Sequence, residues 1–520
     1  MVSVFKFGID HLTVEICIGL LNKKISGILD GEARSNILRS QDYVNAIVEK
    51  DKTVYGINTG FGILSNKKIS KEDTKTLQYK ILQSHSVGVG QPVPLDITRL
   101  MLITKLHALA KGYSGVQLPT LERLLWHFEN DVIPVVPEKG SVGASGDLAP
   151  LAHLCLPLIG LGEVYYKGER ISTDIVFQKE NLKPVALGNK EGLALINGTQ
   201  FILSYAVKNV QRLHNCMDAA DIIGAMTLES LQGTKAPFDA RLHDLRPFDG
   251  NKLVAQRLRL LLEDSEIMHS HVDCDRVQDP YSLRCMPQVH GATRNAWLHL
   301  NQLTEIELNS VTDNPVIFGE DDTISGGNFH GQPLALPLDY CCFAAAELGN
   351  ISDRRCYLLL EGKYGLPMLL MNDVGLNSGF MLPQYTTAAL VTENKTLCFP
   401  ASADSIPTSL GQEDHVSMGS ISGRKLFTVL DNLEYILAIE LMAAAQAIEF
   451  RKPLKSSSVL EAAHSFVREK VSFASEDRIF SEDINLIKQM VTEGAFVDAV
   501  TQFTIQNGIS LNKDFKEFEL

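Results

Sequence analysis

Four stretches of this chain carry apolar residues at helical spacing over far more turns than an average helix has: residues 197–232, 287–311, 334–362 and 420–450. In the last of them Leu426, Val429, Leu430, Leu433, Ile436, Leu437, Leu441 and Ile448 cover more than one helix face. That is the pattern of a helix packed from several sides inside a bundle. Asp431, Glu434 and Glu440 interrupt the same stretch, so it does not read as a membrane span. The preceding residues are patterned in shorter pieces. Residues 8–50, 70–83, 96–112 and 118–130 read as shorter amphipathic helices, and Pro134 and Pro137 require extended chain. Within residues 162–190, Val164-Tyr-Tyr-Lys-Gly-Glu-Arg-Ile171 reads as a hairpin, and the last sixty residues read as further helices with a polar tail. No Pro-, Gly- or Ser-rich linker divides the chain, and no internal repeat is present. The expected fold is therefore mainly α: a long-helix bundle core, 197–520, entwined as one unit with a smaller, loop-rich N-terminal part, 1–196.

Composition narrows the classes. The 520 residues are 45% hydrophobic and 21% charged, ordinary values for a globular protein with a large core. The net charge of −14 argues against a nucleic-acid partner or an anionic membrane surface, which call for a basic face. The nine cysteines are scattered, odd in number and without a C-x-x-C, so neither a disulfide framework nor a zinc ribbon is implied. With no secretory pattern at Met-Val-Ser-Val-Phe-Lys-Phe-Gly, the expected location is the reducing cytoplasm.

The stretch richest in chemical potential is Gly140-Ser-Val-Gly-Ala-Ser-Gly-Asp-Leu-Ala-Pro-Leu-Ala-His153. Its glycines miss the dinucleotide spacing G-x-G-x-x-G, and Asp147 breaks G-x-S-x-G. Small-residue runs ordinarily form tight turns. Here a tight turn also lets the Gly146 nitrogen attack the Ala144 carbonyl, because glycine permits a close backbone approach. Loss of the Ser145 hydroxyl as water then leaves an exocyclic methylidene, an electrophile made from the chain itself. Further polar groups stand at the breaks between apolar helices, where functional residues concentrate. These are Tyr55-Gly-Ile-Asn-Thr-Gly-Phe-Gly62, Ser84-His85, Asn197-Gly-Thr-Gln200, Gln278-Asp-Pro-Tyr-Ser-Leu-Arg284, Thr312-Asp-Asn-Pro315, Gly326-Gly-Asn-Phe-His330 and Gly411-Gln-Glu-Asp-His415.

Taken together, these motifs resemble the aromatic amino acid ammonia-lyases that build a 4-methylidene-imidazol-5-one (MIO) group, over nearly the whole chain. The most specific match is Gly143-Ala-Ser-Gly-Asp-Leu-Ala-Pro-Leu. The resemblance implies that Ala144, Ser145 and Gly146 form the MIO, with no external cofactor, and that the protein is a homotetramer with sites built from several subunits. It implies Arg284 as the anchor of the substrate carboxylate, a role suited to a guanidinium fork. Asn197 and Phe329 are implied to flank the prosthetic ring, with Asn197 also near the substrate carboxylate. Tyr55 and Tyr281 are implied beside the scissile bonds, one of them (in the family usually Tyr281) as the base for the β-proton, with Gln278 holding the arrangement. His85 stands where phenylalanine-specific relatives carry an apolar residue, and Glu413 matches the histidine-specific branch, although Gly411 replaces an Asn common there. A carboxylate beside an imidazole N–H favours a ring that phenyl cannot mimic. The implied activity is elimination of ammonia from L-histidine to give trans-urocanate. The alternative is a tyrosine or phenylalanine lyase, or an aminomutase, on the same scaffold. Two other classes are weaker: a metal hydrolase built on His269-Ser-His-Val-Asp-Cys-Asp275, which lacks a matched second cluster, and a non-catalytic helical assembly protein. No metal is expected.

Overall fold

Long helices form where the apolar pattern is longest. Gln200–Ser230, Met286–Leu308, Gln332–Leu360 and Gly419–Glu449 are continuous α-helices in the computed structural model, which describes residues 3–50, 54, 56, 57, 59, 60, 69–272 and 276–520. The mainly helical fold read from the sequence is the observed one. Contacts divide the chain into two compact units.

The first unit comprises Met1–Lys208, Asn301–Leu338 and Pro400–Arg424. Its shorter helices start where their caps place them. Asp30 accepts from the Ala33 amide ahead of Gly31–Glu49, and Ser70 accepts from the Asp73 amide ahead of Lys71–His85. Small sheets join these helices. The expected hairpin is Glu163–Tyr166 paired antiparallel with Glu169–Ser172, and Ile133–Pro134 adds a third strand. The segment between Pro134 and the glycine-rich motif is extended as its prolines require, and Pro137–Lys139 pairs antiparallel with Val89–Pro92. That ribbon matters for function, because it ties the residues after His85 to the residues before Gly140.

The second unit comprises Asn209–Leu300, Asp339–Phe399 and Lys425–Leu520 and is helical among its described residues. Two of the three acids that interrupt its most apolar helix, Glu434 and Glu440, are buried there as partners of arginines, while Asp431 is half-buried and pairs with Lys488 at 2.8 Å. Both oxygens of Glu434 accept from Arg212, at 2.8 and 3.0 Å, and both oxygens of Glu440 accept from Arg355, at 2.6 and 2.9 Å. Bidentate pairing of this kind is what makes a buried carboxylate tolerable. Among the described residues no helix is long and apolar enough to cross a membrane.

Candidate active site

The glycine-rich loop is held between two backbone conformations that side-chain-bearing residues rarely adopt. Gly143 has φ +70° and Gly146 φ +76°, and a Cβ on Gly146 would lie 2.1 Å from the Gly198 carbonyl oxygen. Only glycine tolerates that approach. The close packing is a real backbone pairing: the Asp147 amide donates to Gly198 O at 2.7 Å, and the Gly198 amide faces Ser145 O at 3.4 Å. Asp147, immediately after the loop, is fully buried. Its Oδ1 accepts from Ser141 Oγ at 2.9 Å and its Oδ2 accepts from the Ile202 amide at 2.9 Å, at the start of the helix Gln200–Ser230. Burial pushes its carboxyl up to about 7, against the pull of those hydrogen bonds.

Two further segments close on the loop. The Met418 amide donates to Val142 O at 3.1 Å and Ser420 Oγ donates to Ser141 O at 2.7 Å, so residues 408–420 lie along it. Within that segment Thr408 and Glu413 pair through their backbones, and Thr408 Oγ1 donates to Glu413 Oε2 at 3.0 Å. The other Glu413 oxygen accepts from Ser145 Oγ at 3.3 Å. From the other side, the Gly88 amide donates to His153 Nε2 at 3.0 Å, fixing the turn that follows His85. The result is a cleft of about 210 Å³ whose lining includes Ser84, His85, Val142, Ala144, Thr408 and Glu413. Burial lowers the His85 pKa from its ordinary value, an effect partly offset by a bond to the Ile81 backbone and by the charge of Glu413. The imidazole is therefore neutral at pH 7, and Ser84 Oγ lies 3.0 Å from its Nδ1.

Asn197 sits against the same loop. Its side-chain Oδ1 is buried with no hydrogen-bond partner among the described residues, an acceptor waiting for a donor. Phe329 is half-buried in the loop just before Gln332–Leu360 and is not among the residues lining the cleft. Tyr55 lies outside the described residues. Gln278, Tyr281 and Arg284 belong to the second unit. Asp279, buried between Gln278 and Pro280, accepts from the Thr234 amide at 2.7 Å and from Arg276 at 2.8 Å, which fixes the start of the short helix Tyr281–Arg284. One turn apart on that helix, the Arg284 guanidinium carbon lies 4.6 Å from the centroid of the Tyr281 ring. Tyr281 is 71% exposed and Gln278 is exposed, while the Arg284 Nε is buried without a partner among the described residues.

Two residues of the site carry no signature motif. Thr408 is one, and its signal is local: a β-branched hydroxyl five residues before a candidate carboxylate. Lys105, whose Nζ donates to the Asn197 carbonyl oxygen at 2.6 Å, is the other, and its signal is a lysine inside the mostly apolar run Leu100–Ala110. In the His269–Asp275 segment, both ring nitrogens of His271 face backbone carbonyls, of Ile267 at 2.8 Å and of Gly233 at 2.9 Å, while Asp273, Cys274 and Asp275 lie outside the described residues. Among the described residues no group of three or more His, Cys, Asp or Glu is placed to hold a metal ion.

Comparison with known proteins adds independent findings. Residues 12–469 match the family model for aromatic amino acid lyases. A histidine ammonia-lyase of Natranaerobius thermophilus is 48% identical over 472 residues, covering 90% of this chain and 93% of that protein. One from Myxococcus xanthus is 46% identical over 95% of this chain and 98% of that protein. The crystal structure of histidine ammonia-lyase from Trypanosoma cruzi superposes with a TM-score of 0.90 at 38% identity, covering 99% of this chain and 97% of that one. A tyrosine aminomutase from Streptomyces globisporus superposes equally well, with a TM-score of 0.91 at 35% identity over 96% of this chain and 99% of that one.

Proposed function

The chain belongs to the aromatic amino acid lyase family, and we propose that within it this enzyme is a carbon–nitrogen lyase that eliminates ammonia from L-histidine to give trans-urocanate. The observation that carries the reading is the cleft lined by His85, Ala144, Gly146 and Glu413, in which Glu413 accepts from Ser145 Oγ at 3.3 Å. It joins a candidate electrophile to two groups suited to an imidazole.

The electrophile is the MIO group built from Ala144-Ser145-Gly146, with no external cofactor. A bond forms from the Gly146 nitrogen to the Ala144 carbonyl carbon, whose oxygen leaves as water with the amide hydrogens of Ser145 and Gly146. The Ser145 hydroxyl then leaves as a second water with the Cα hydrogen. The residues present fit such a group: the positive φ of Gly146, the cradle that a Cβ would fill, and the unpartnered Asn197 Oδ1 beside it. Once formed, the group supplies a methylidene that captures the amine and makes it a better leaving group.

The chain's own side chains do the rest. Arg284 takes the substrate carboxylate through two parallel N–H bonds, and Asn197 adds an amide contact to the same end. His85 and Glu413 hold the imidazole, and Phe329 would flank the prosthetic ring. Fixing both ends of the substrate aims its β-hydrogen at the phenolic oxygen of Tyr281, a positional gain of several kcal/mol. Gln278 supports Tyr281; Tyr55, whose role beside the scissile bonds is implied by the family resemblance, lies outside the described residues. Arg284 and Tyr281 are positioned jointly because guanidinium and ring stack on one turn. As the β C–H and α C–N bonds break, the double bond forms and ammonia departs.

We place the working enzyme as a homotetramer in the cytoplasm. Supporting assembly, Tyr340, Phe343 and Tyr357 are exposed on Gln332–Leu360, and Gln278 and Tyr281 are exposed in the single chain. Supporting a reducing compartment, the described cysteines are all unpaired. A tyrosine or phenylalanine lyase or an aminomutase is the second reading, favoured by the tyrosine aminomutase likeness and by the ability of His85 to bond a phenol. Incubation with histidine, tyrosine and phenylalanine separates them. Urocanate absorbance from histidine alone supports the reading; turnover of tyrosine or phenylalanine with none of histidine contradicts it.

A further inference from the structure

The helix Leu95–Ala110 buries every residue from Leu100 to Ala110, and one of them is Lys105, 1% exposed. Lysine is almost never buried to this degree without a paired acid. The acid whose charge acts most strongly on it, Asp313, is bonded to another buried lysine, with Lys190 Nζ donating to its Oδ2 at 2.5 Å. Lys105 Nζ instead donates to the carbonyl oxygen of Asn197 at 2.6 Å and reaches Gln200 Oε1 at 3.5 Å. Burial draws its pKa down to about 8, a fall opposed chiefly by the charge of Asp313 and reinforced by Lys190, so the side chain remains an ammonium at pH 7.

The carbonyl it grips belongs to a particular peptide. The other end of the Asn197–Gly198 peptide is the Gly198 N–H, which faces Ser145 O, while the next carbonyl, Gly198 O, accepts from Asp147. A cation on the oxygen of a peptide polarises the whole amide and strengthens its N–H as a donor. Ser145 O is the carbonyl conjugated to the methylidene carbon that Ser145 yields. Electron density arriving at that carbon is therefore shared with this oxygen. A preorganised donor at the atom where charge develops is the most effective electrostatic aid a site can offer.

We infer that Lys105 is a positioning residue of the active site: acting through the Asn197–Gly198 peptide, its ammonium holds and polarises the N–H that faces the Ser145 carbonyl and thereby sets the reactivity of the electrophile. This rests on the reading of Ala144-Ser145-Gly146 given above. It also gives a reason for burying a charge in an apolar helix, since an uncharged residue there could fill the space but could not polarise the peptide.

The test uses the full-length wild type with K105M, K105Q and K105R, each checked for helical content by circular dichroism. Intact masses are recorded before and during treatment with sodium borohydride, whose hydride, with a proton from water, adds two hydrogens across the methylidene. The wild type begins two waters lighter than its unmodified chain. The rate of hydride addition falls about tenfold or more in K105M and K105Q and stays within about fivefold in K105R, which keeps the charge. The kcat for histidine falls in parallel with an unchanged KM. Retention of full unmodified mass by K105M and K105Q, with normal maturation of K105R, supports the same assignment by showing that the charge also serves ring closure. A folded, mature K105M that reacts at the wild-type rate overturns the inference, as does a K105Q that restores the rate K105M has lost, because a neutral hydrogen bond would then suffice. A wild type at full unmodified mass removes the electrophile itself, and this inference with it.

Discussion

The glycine-rich loop and the Gln278–Arg284 segment contrast in how completely one chain builds them. Around the loop, Ser141, Asp147, Gly198, Ile202, Glu413, Met418 and Ser420 all contribute hydrogen bonds, and Ala144 and Gly146 are buried. The Gln278–Arg284 segment is anchored from behind, through Asp279, the buried Leu283 and the Ser282 carbonyl, which accepts from Arg355 at 3.5 Å, while Tyr281 and Gln278 are exposed. The difference separates two tasks. In the proposed function, making an electrophile from the backbone requires a rigid turn, and the hydrogen bonds that hold the loop come from a single chain. Gripping and deprotonating a substrate, the role proposed for Gln278, Tyr281 and Arg284, requires groups that can be brought to that turn, and the exposure of Gln278 and Tyr281 suits delivery from another copy in the proposed homotetramer.

Substitutions can break this contrast, beginning with the largest expected effect. Ser145→Ala removes the source of the methylidene, so kcat falls by about a thousandfold or more while helical content and Tm stay as in the wild type; intact mass shows that the normal two-water loss is absent. Arg284→Ala, in the Gln278–Arg284 segment, lowers kcat/KM by about 10²–10³-fold through loss of a charge pair. Its mass still shows both waters gone, because the loop matures without it. Glu413→Gln touches both tasks. It narrows the preference for histidine over phenylalanine by about 10- to 100-fold, read from the ratio of kcat/KM values. The mildest is Thr408→Val, which deletes one hydrogen bond to Glu413 and weakens histidine use by a few-fold, equivalent to about 1 kcal/mol.

Much of the fold was legible because apolar periodicity is dense where helices are long. Gln200–Ser230, Met286–Leu308, Gln332–Leu360 and Gly419–Glu449 all lie within a few residues of the stretches that predict them. Pattern fails where burial is not apolar. The helix Met381–Leu397 has no apolar stripe, because its buried positions are Pro383, Thr387 and Asn394. Glu434 and Glu440 read as interruptions, since Arg212 and Arg355, which neutralise them, are distant in sequence. The same limit applies at the site. Ala144-Ser145-Gly146 announces its chemistry locally through three adjacent residue types. The contact of Glu413 with Ser145, and that of Lys105 with the Asn197 carbonyl, exist only once remote segments fold together.

The division of labour between the two regions is tested most directly by mixing chains. Ser145→Ala and Arg284→Ala chains are co-expressed with different affinity tags, and mixed oligomers are isolated through both tags in turn. Each variant alone is nearly inactive. The account predicts that mixed oligomers regain histidine elimination well above either parent, because an intact loop of one copy meets an intact Arg284 of another. Doubly tagged oligomers that remain as inactive as the parents would contradict it, and would return the loop and the Gln278–Arg284 segment of each site to a single chain.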